Sequence, residues 1–155
     1  MSAHAFALFA DYHQFYLWDP GAEPRAPEDY TDEDVRRLVK VGPNVVVIQP
    51  VRNMTVAVEL ELCDRDPGFN ASQWDHIAEC GLDLPTGKLQ VHECTGGPVL
   101  DLDVTPGSYR LRALFGGLGT ISENGLDGKD FYAISLWPEA TAPLRIVKQW
   151  EGRSR

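Results

Sequence analysis

Cysteine is scarce in this 155-residue sequence, and a long hydrophobic run is absent from it. The three cysteines, Cys63, Cys80 and Cys94, are an odd number at spacings that match no zinc or redox motif. No stretch of about 18 consecutive apolar residues occurs, so we expect no membrane span. The first residues lack the charged region and the long apolar core of a secretory signal peptide. These absences predict a cytoplasmic protein with reduced thiols, which at this length needs no disulfide for stability.

Catalytic motifs are also missing. The sequence contains no Gly-x-Ser-x-Gly elbow and no phosphate-binding loop with its lysine, and Gly116-Gly117-Leu118-Gly119 is followed by neither a lysine nor a helical pattern. Asp11 and His13 lie two residues apart and could supply a general acid or base together with a distant carboxylate. A structural histidine is the simpler interpretation. We therefore expect a non-enzymatic protein without a cofactor.

Two groups of potential metal ligands do not have the spacing of a metal site. The zinc-ligand types His76, Cys80, His92 and Cys94 form no compact motif, and buried thiols often behave as small hydrophobic groups. The acidic run 64–75 fits the ligand positions of a calcium loop, but Phe69 stands where that loop requires glycine and Pro67 disturbs the turn. We expect no metal site.

Acidic residues are concentrated near the amino end of the chain. Residues 11–34 carry a net charge of −7, out of −9 for the whole sequence. Their charged side chains are Asp11, Asp19, Glu23, Glu28, Asp29, Asp32, Glu33 and Asp34, with Arg25 as the single cation. Such a segment attracts basic partners and repels nucleic acid and anionic membranes. Two interpretations stay open: the carboxylates only aid solubility and complement a helix dipole, or they form a docking surface for a basic protein.

Alternation of apolar and polar residues dominates the rest of the chain. Apolar side chains occupy one face of the run 54–62 and polar or small ones the other, namely Met54, Val56, Val58, Leu60 and Leu62 against Thr55, Ala57, Glu59 and Glu61. Further strand-like runs are 6–18, with a bend or break near His13, and 45–51, 88–93, 99–104, 109–115, 131–137 and 144–150. Several short strands separated by turn residues predict a mainly β protein. We expect a single domain over residues 1–155, an antiparallel β-sandwich or jelly roll.

A hairpin around Thr105-Pro106-Gly107-Ser108 is predicted by two patterns that agree. In this register Leu102 faces Leu111 on one side of the hairpin, while Asp103 faces Arg110 and Asp101 faces Arg112 on the other. Apolar residues meet apolar residues and opposite charges meet each other, as expected of cross-strand neighbours.

One short helix is predicted over residues 31–41. Thr31 is a suitable N-cap, acidic residues follow in the first turn, and Gly42-Pro43 ends the pattern. The prolines and the glycine between residues 19 and 29 predict an exposed acidic loop without regular structure.

Five short motifs follow one another along the chain. They are Tyr12-His13-Gln14-Phe15, a proline-rich interval ending in Tyr30-Thr31-Asp32-Glu33, Arg52-Asn53, Leu84-Pro85, and Asp103-Val104-Thr105-Pro106-Gly107-Ser108-Tyr109-Arg110-Leu111. In this order they resemble the bacterial competence protein J family, which is named for an inhibitor of a DNA-entry nuclease. The resemblance covers residues 10–115, and its most distinctive element is Tyr-His-Gln-Phe. It implies a small non-enzymatic protein that binds and silences a nuclease.

The acidic segment agrees with this implication, because nuclease clefts are lined by cations that bind phosphates. Carboxylates can occupy the phosphate positions without offering a bond that the enzyme can cleave. The candidate partner-binding residues are Glu28, Asp29, Asp32, Glu33 and Asp34, with Tyr30 as an aromatic anchor. His13 and Arg52 belong to the motifs without an assigned role, and Arg52 could pair with Glu59 or Glu61 of the following strand.

A second interpretation is a jelly roll that binds a small ligand or a carbohydrate, either as a binding protein or as an enzyme. Its sequence basis is the four tryptophans, Trp18, Trp74, Trp137 and Trp150, which could line a sugar platform. An aromatic pocket in the sheet concavity would favour this interpretation. A filled interior with carboxylates on a protruding loop would favour the inhibitor.

Overall fold

One strand of the larger of two sheets shows burial that alternates from residue to residue. In the computed structural model, which describes residues 2–152, the strand Thr55–Leu62 buries Val56, Val58 and Leu60 and exposes Thr55, Ala57 and Glu59. Successive side chains of a strand point to opposite faces, so this strand presents one face to the core, as its sequence predicts.

Residues 2–152 form eleven strands and one α-helix. In chain order they are β1 (Ser2–Phe9), β2 (Phe15–Trp18), α1 (Asp32–Arg37), β3 (Val39–Gly42), β4 (Val45–Ile48), β5 (Thr55–Leu62), β6 (His76–Leu84), β7 (Lys88–Glu93), β8 (Gly97–Asp103), β9 (Gly107–Gly116), β10 (Phe131–Pro138) and β11 (Arg145–Lys148). The larger sheet has the order β1-β5-β10-β9-β6-β11 and the smaller sheet the order β3-β4-β2-β7-β8.

The two sheets share one apolar core. Leu17 and Ile48 of the smaller sheet and Leu60 and Leu111 of the larger sheet are fully buried in the same cluster. Neighbouring strands are antiparallel except β5 and β10, which run parallel. The prediction of a mainly β, sandwich-like protein with one short helix is confirmed. The predicted break near His13 is also present, because β1 ends at Phe9 and β2 begins at Phe15.

The predicted hairpin between 99–104 and 109–115 is wrong. β8 lies in the smaller sheet beside β7, whereas β9 lies in the larger sheet between β10 and β6. Arg112 pairs with Glu79 of β6, Nε to Oε2 at 2.7 Å, and Asp66 binds both of its terminal nitrogens at 2.8 and 2.9 Å. The alternation of residues that predicted pairing of these two strands is equally compatible with strands that lie in two different sheets.

The predicted helix 31–41 is too long. Thr31 is the N-cap as predicted, but Leu38 ends the helix in the left-handed conformation, with φ of 62°. Val39 and Val41 then belong to β3, where β-branched side chains are favoured, and pair with Ile48 and Val46 of β4.

The strand β6 was missed because it is buried along almost its whole length. A strand that is covered on both faces does not alternate between apolar and polar residues. Its inner face contacts the core, and on the outer face a Cβ atom at Gly81 would clash with the side chain of Thr141. The segment after β10 therefore covers the outer face of this strand.

Among residues 2–152, no helix is long and apolar enough to cross a lipid bilayer. All three cysteines are free thiols. Burial raises the pKa of Cys63 and of Cys80 to about 12, so both stay protonated at neutral pH.

Candidate functional site

The first turn of α1 is built by a reciprocal cap. The Thr31 hydroxyl oxygen accepts a hydrogen bond from the Asp34 backbone N–H at 3.0 Å, and the Asp34 carboxylate accepts one from the Thr31 backbone N–H at 2.9 Å. Lys40 of β3 donates to the same carboxylate at 2.8 Å. The hydrogen bond from Lys40, helped by those from Thr31, holds the pKa of Asp34 below its ordinary value. The Asp34 carboxylate therefore stabilises the first turn of α1.

Glu33 forms ion pairs with two arginines near the end of the same helix. Its carboxylate lies 3.0 Å from Nε of Arg37 and 3.5 Å from a terminal nitrogen of Arg36. The glutamate and arginine side chains are all about half exposed, so solvent weakens these pairs.

Four carboxylates of the acidic segment are exposed and form no ion pair within residues 2–152: Glu23, Glu28, Asp29 and Asp32. We call these four the free carboxylates. The backbone around them is held in place, because Lys40 Nζ donates to the backbone carbonyl of Asp29 at 2.6 Å. Their charge is presented to solvent from a fixed segment.

Tyr30 fixes this segment to the smaller sheet. Its half-buried ring packs in an outer apolar cluster with Tyr16, Val45 and Val47, and Lys40 Nζ lies 5.0 Å from the ring centre. The Tyr30 hydroxyl is buried without a hydrogen-bond partner within the described chain. Burial, with smaller contributions from nearby acidic groups, raises its pKa to about 12.

Asp19 does not belong to the exposed acidic loop that its position predicted. It is fully buried at the start of a short 3₁₀ turn, Pro20–Ala22, which also corrects the prediction of no regular structure. Its carboxylate accepts hydrogen bonds from the Thr86 backbone N–H at 2.7 Å, the Thr86 hydroxyl at 2.5 Å and the Gly21 N–H at 2.8 Å. Burial by itself would raise the pKa of Asp19, but these hydrogen bonds outweigh it and lower the pKa.

The Tyr-His-Gln-Phe motif forms a strained turn at one end of the sandwich. Tyr12 and His13 have φ of 57° and 56°, the left-handed region that non-glycine residues adopt at a cost of about 1–3 kcal/mol each. The His13 backbone N–H donates to Asn53 Oδ1 at 3.2 Å, and His13 Nδ1 donates to the Pro50 carbonyl at 3.1 Å. The turn leaves the Tyr12 side chain 69% exposed. Two motifs separated along the sequence thus meet in one structural unit.

The acid–base pair considered for His13 and Asp11 does not match this geometry. The two Asp11 carboxylate oxygens accept hydrogen bonds from the Tyr12 backbone N–H and the Thr95 hydroxyl, while His13 donates to Pro50. Both side chains support the turn.

Arg52 has a structural partner that the sequence did not reveal. Its Nε lies 2.7 Å from Asp130 Oδ1, so the predicted pairing with Glu59 or Glu61 is wrong. Asp130 is buried and also accepts a hydrogen bond from the Tyr132 hydroxyl at 2.5 Å. Burial and the neighbouring Asp130 carboxylate raise the pKa of Tyr132. Asp130 precedes β10, far along the chain, and no local pattern links it to Arg52.

An apolar groove lies between α1 and the Tyr12 turn. It has a volume of about 360 Å³, and its lining includes Val35, Leu38, His13, Pro50 and Trp150. His76 positions the Trp150 side of the groove: its Nε2 donates to the Arg37 carbonyl at 2.6 Å, and its Nδ1 accepts from the Trp150 N–H at 3.0 Å. The groove is assembled from separate segments, so sequence reasoning missed it.

The metal-ligand types and the tryptophans do not converge. Within residues 2–152, no group of three or more histidine, cysteine or acidic side chains lies close enough to hold a metal ion. The tryptophans have different neighbours: Trp18 stacks on Tyr16, Trp74 contacts Phe131, Trp137 packs against Arg112 and Trp150 lines the groove.

The fold is shared with two solved structures. No protein-family model and no curated protein sequence matches the chain. ComJ from Bacillus subtilis, an inhibitor of the DNA-degrading activity of NucA, superposes with a TM-score of 0.70 at 16% identity, covering 88% of this chain and 96% of ComJ. Crocagin biosynthetic gene J superposes with a TM-score of 0.56 at 23% identity, covering 90% of this chain and 100% of that one. The chain therefore has the fold of ComJ, whose family its motifs resemble, and at these identities the likeness shows the fold alone.

Proposed function

We propose that this protein is a non-enzymatic inhibitor that binds a nuclease and blocks its basic nucleic-acid-binding cleft. The fold of ComJ supports a protein partner of this kind. The observation that carries the proposal is the set of free carboxylates, which face solvent in a chain of net charge −9. A basic nuclease in the cytoplasm is the expected partner, with no direct contact between this protein and nucleic acid.

The free carboxylates suit a cleft that normally binds phosphates. Glu28, Asp29 and Asp32 lie within five residues of one another, so they can present several negative charges to one cationic surface. Charged groups of opposite sign steer association and set its specificity. Since no phosphodiester bond is offered, the enzyme would bind these groups without turnover.

Rigidity of the segment supports the same role. Lys40 holds the Asp29 backbone, the Thr31 cap holds the first turn of α1, and Tyr30 packs against the smaller sheet. A surface that is ordered before binding loses less conformational entropy when the complex forms. In this proposal Glu28, Asp29 and Asp32 contact the partner with Glu33 beside them, while Tyr30 and Asp34 keep them in position.

The filled interior favours an inhibitor over a ligand-binding jelly roll. Buried apolar side chains such as Leu17, Ile48, Leu60 and Leu111 occupy the space between the sheets, where such a jelly roll would hold its ligand.

Neutralisation of two free carboxylates tests the proposal. A nuclease is first captured from the source cell at low salt, identified by mass spectrometry and purified, and inhibition of its DNA degradation is then measured. Glu28→Gln with Asp29→Asn should raise the inhibition constant at least about tenfold and make it less sensitive to salt. The matched control removes two exposed carboxylates elsewhere, by Glu59→Gln with Asp83→Asn.

The two ways in which the proposal can fail give different results. If the control and test variants inhibit equally, the free carboxylates are not the contact surface. If the wild-type protein inhibits no nuclease at any salt concentration, the inhibitor role itself is wrong.

A further inference from the structure

The groove between α1 and the Tyr12 turn has the character of a binding site for an apolar side chain. Val35 of α1 and Leu38, the C-cap residue of this helix, form one side of the groove. Pro50 and Trp150 contribute to the rest of its lining. Val35 is 54% exposed although it is one of the apolar residues of a short helix. The volume of about 360 Å³ is enough for a large side chain.

Exposed apolar side chains gather around the same end of the sandwich. Among residues 2–152 seven large hydrophobic side chains are exposed, and five of them are at this end: Phe9, Tyr12, Val35, Leu126 and Phe131. Phe9 ends β1 and Phe131 begins β10, while the Leu126 carbonyl accepts a hydrogen bond from Arg52. Single exposed hydrophobic residues are normal, but the presence of five of the seven at one end makes that end the more apolar part of the surface.

The groove adjoins the free carboxylates through α1. Asp32 and Val35 are three residues apart on this helix and therefore neighbours on its surface. A partner that binds Asp32 and its neighbours through lysine or arginine would thus lie beside the groove. Arg36 also lines the groove, but it pairs with Glu33 at 3.5 Å and with Glu151 at 3.6 Å. The charge that α1 leaves without an ion pair among residues 2–152 is that of Asp32, and charge complementarity therefore selects a basic protein surface as the occupant.

We propose that the groove receives a large apolar side chain of the nuclease, flanked there by basic residues, and that Tyr12 packs against the same part of the partner. This inference rests on the proposed function and adds the apolar centre of its interface. Binding energy at interfaces concentrates in buried apolar anchors surrounded by polar groups, and the free carboxylates would form such a rim. The left-handed turn holds Tyr12 ready for this contact, fastened by Asn53 and Pro50.

A pair of peptides tests the groove without the nuclease. Lys-Lys-Phe-Lys-Lys and Lys-Lys-Ser-Lys-Lys are titrated separately into isotopically labelled protein and followed by NMR. The phenylalanine peptide should shift the Trp150 indole and the Val35 and Leu38 amide signals, and the serine peptide should not. The variant Val35→Trp fills the groove and should abolish these shifts. Val41→Trp is the control, since Val41 is also exposed, at 41%, but lies in β3 outside the groove.

Inhibition of the identified nuclease gives the second measurement. Val35→Trp and Tyr12→Ala should each raise the inhibition constant about tenfold or more, with the salt dependence unchanged, while Val41→Trp should leave both unchanged. The inference is overturned if the phenylalanine peptide does not shift the groove signals, or if Val35→Trp inhibits as well as Val41→Trp. If the wild type inhibits no nuclease, the proposed function fails and the peptide titration still decides whether the groove binds an apolar side chain next to basic residues.

Discussion

The side-chain carbonyl oxygen of Asn53 accepts a hydrogen bond from the backbone N–H of His13 at 3.2 Å. This bond joins two motifs that lie 40 residues apart in the chain. It also supports a turn in which both Tyr12 and His13 have positive φ. The exposed Tyr12 side chain is therefore positioned by Asn53, a residue far from it in the sequence.

Removal of this support should destabilise the protein. Asn53→Ala removes one of two acceptors of the His13 N–H, which also donates to the Ala10 carbonyl at 3.0 Å, and we expect the free energy of unfolding to fall by up to about 1 kcal/mol. Asn53→Asp keeps an acceptor oxygen at the same position and should lose less. Urea denaturation measures both changes, with the same dependence of the unfolding free energy on urea concentration expected in the wild type and both variants. Equal loss in the two variants would show that the hydrogen bond does not support the turn.

The buried pair of Arg52 and Asp130 should contribute far more to stability than an exposed pair. The Asp130 side chain is fully buried and that of Arg52 is 11% exposed, so Arg52→Ala would leave a buried carboxylate without its cation. We expect a loss of about 3 kcal/mol. Lys88→Ala, which breaks the exposed pair with Asp103, should change stability far less, because solvent screens that pair. Similar losses from both variants in urea denaturation would contradict this assignment.

His76 should make the protein less stable as the pH falls below neutral. Burial, together with the nearby Arg36 charge, holds the pKa of His76 below its ordinary value of about 6.5. In the unfolded chain the imidazole binds a proton below about pH 6.5, whereas in the folded protein it stays neutral to lower pH. Stability is therefore greatest above this pH and decreases as the pH falls toward the pKa of the folded state.

The measurement is the free energy of unfolding between pH 7 and 5. His76→Gln should show a smaller decrease over this range. The lowered pKa values of Asp19, Asp34 and Asp66 act in a separate window, where stability is lost as the pH falls below about 4. NMR should show the neutral imidazole with its proton on Nε2, because Nδ1 accepts from Trp150. A variant with the same decrease as the wild type would exclude His76 as the cause.

Tyr30 and Tyr16 should respond differently to loss of their hydroxyl groups. The buried Tyr30 hydroxyl has no partner among the described residues, so Tyr30→Phe should leave stability unchanged or raise it by up to about 1 kcal/mol. The Tyr16 hydroxyl lies 2.9 Å from Gln14 Oε1 and 3.2 Å from Cys94 Sγ, so Tyr16→Phe should lower stability by about 1 kcal/mol. Thermal and urea unfolding distinguish the two. A loss in both variants would mean that the Tyr30 hydroxyl has a partner in solution.

Local patterns predicted those parts of the fold that depend on neighbouring residues. The alternation in 54–62 predicted β5, and Thr31 with its acidic first turn predicted the start of α1. The end of α1 was not predictable in this way, because Val39 fits the apolar side of a helix and an edge strand equally well. Pairing with β4 decides between them.

The functional surface was predictable only in part, for the same reason. The acidic composition indicated where a basic partner could bind, and the short motifs marked the segments that contain Tyr12 and Asn53. Neither revealed that Asp19 is buried beneath Thr86 or that Trp150 completes a groove with Val35. Those facts depend on contacts between residues far apart in the chain.

The amino-acid sequence by itself determined the strand alternation, the helix cap and the excess of negative charge near the amino end, because these properties depend on residue type and near-neighbour spacing. Tertiary structure alone decided that β8 and β9 lie in different sheets, that Arg52 pairs with Asp130, and which carboxylates remain free. A strand with alternating residues can pair with many other strands, and a charged side chain with many side chains of opposite charge. Only packing of the whole chain around one core selects among these pairings.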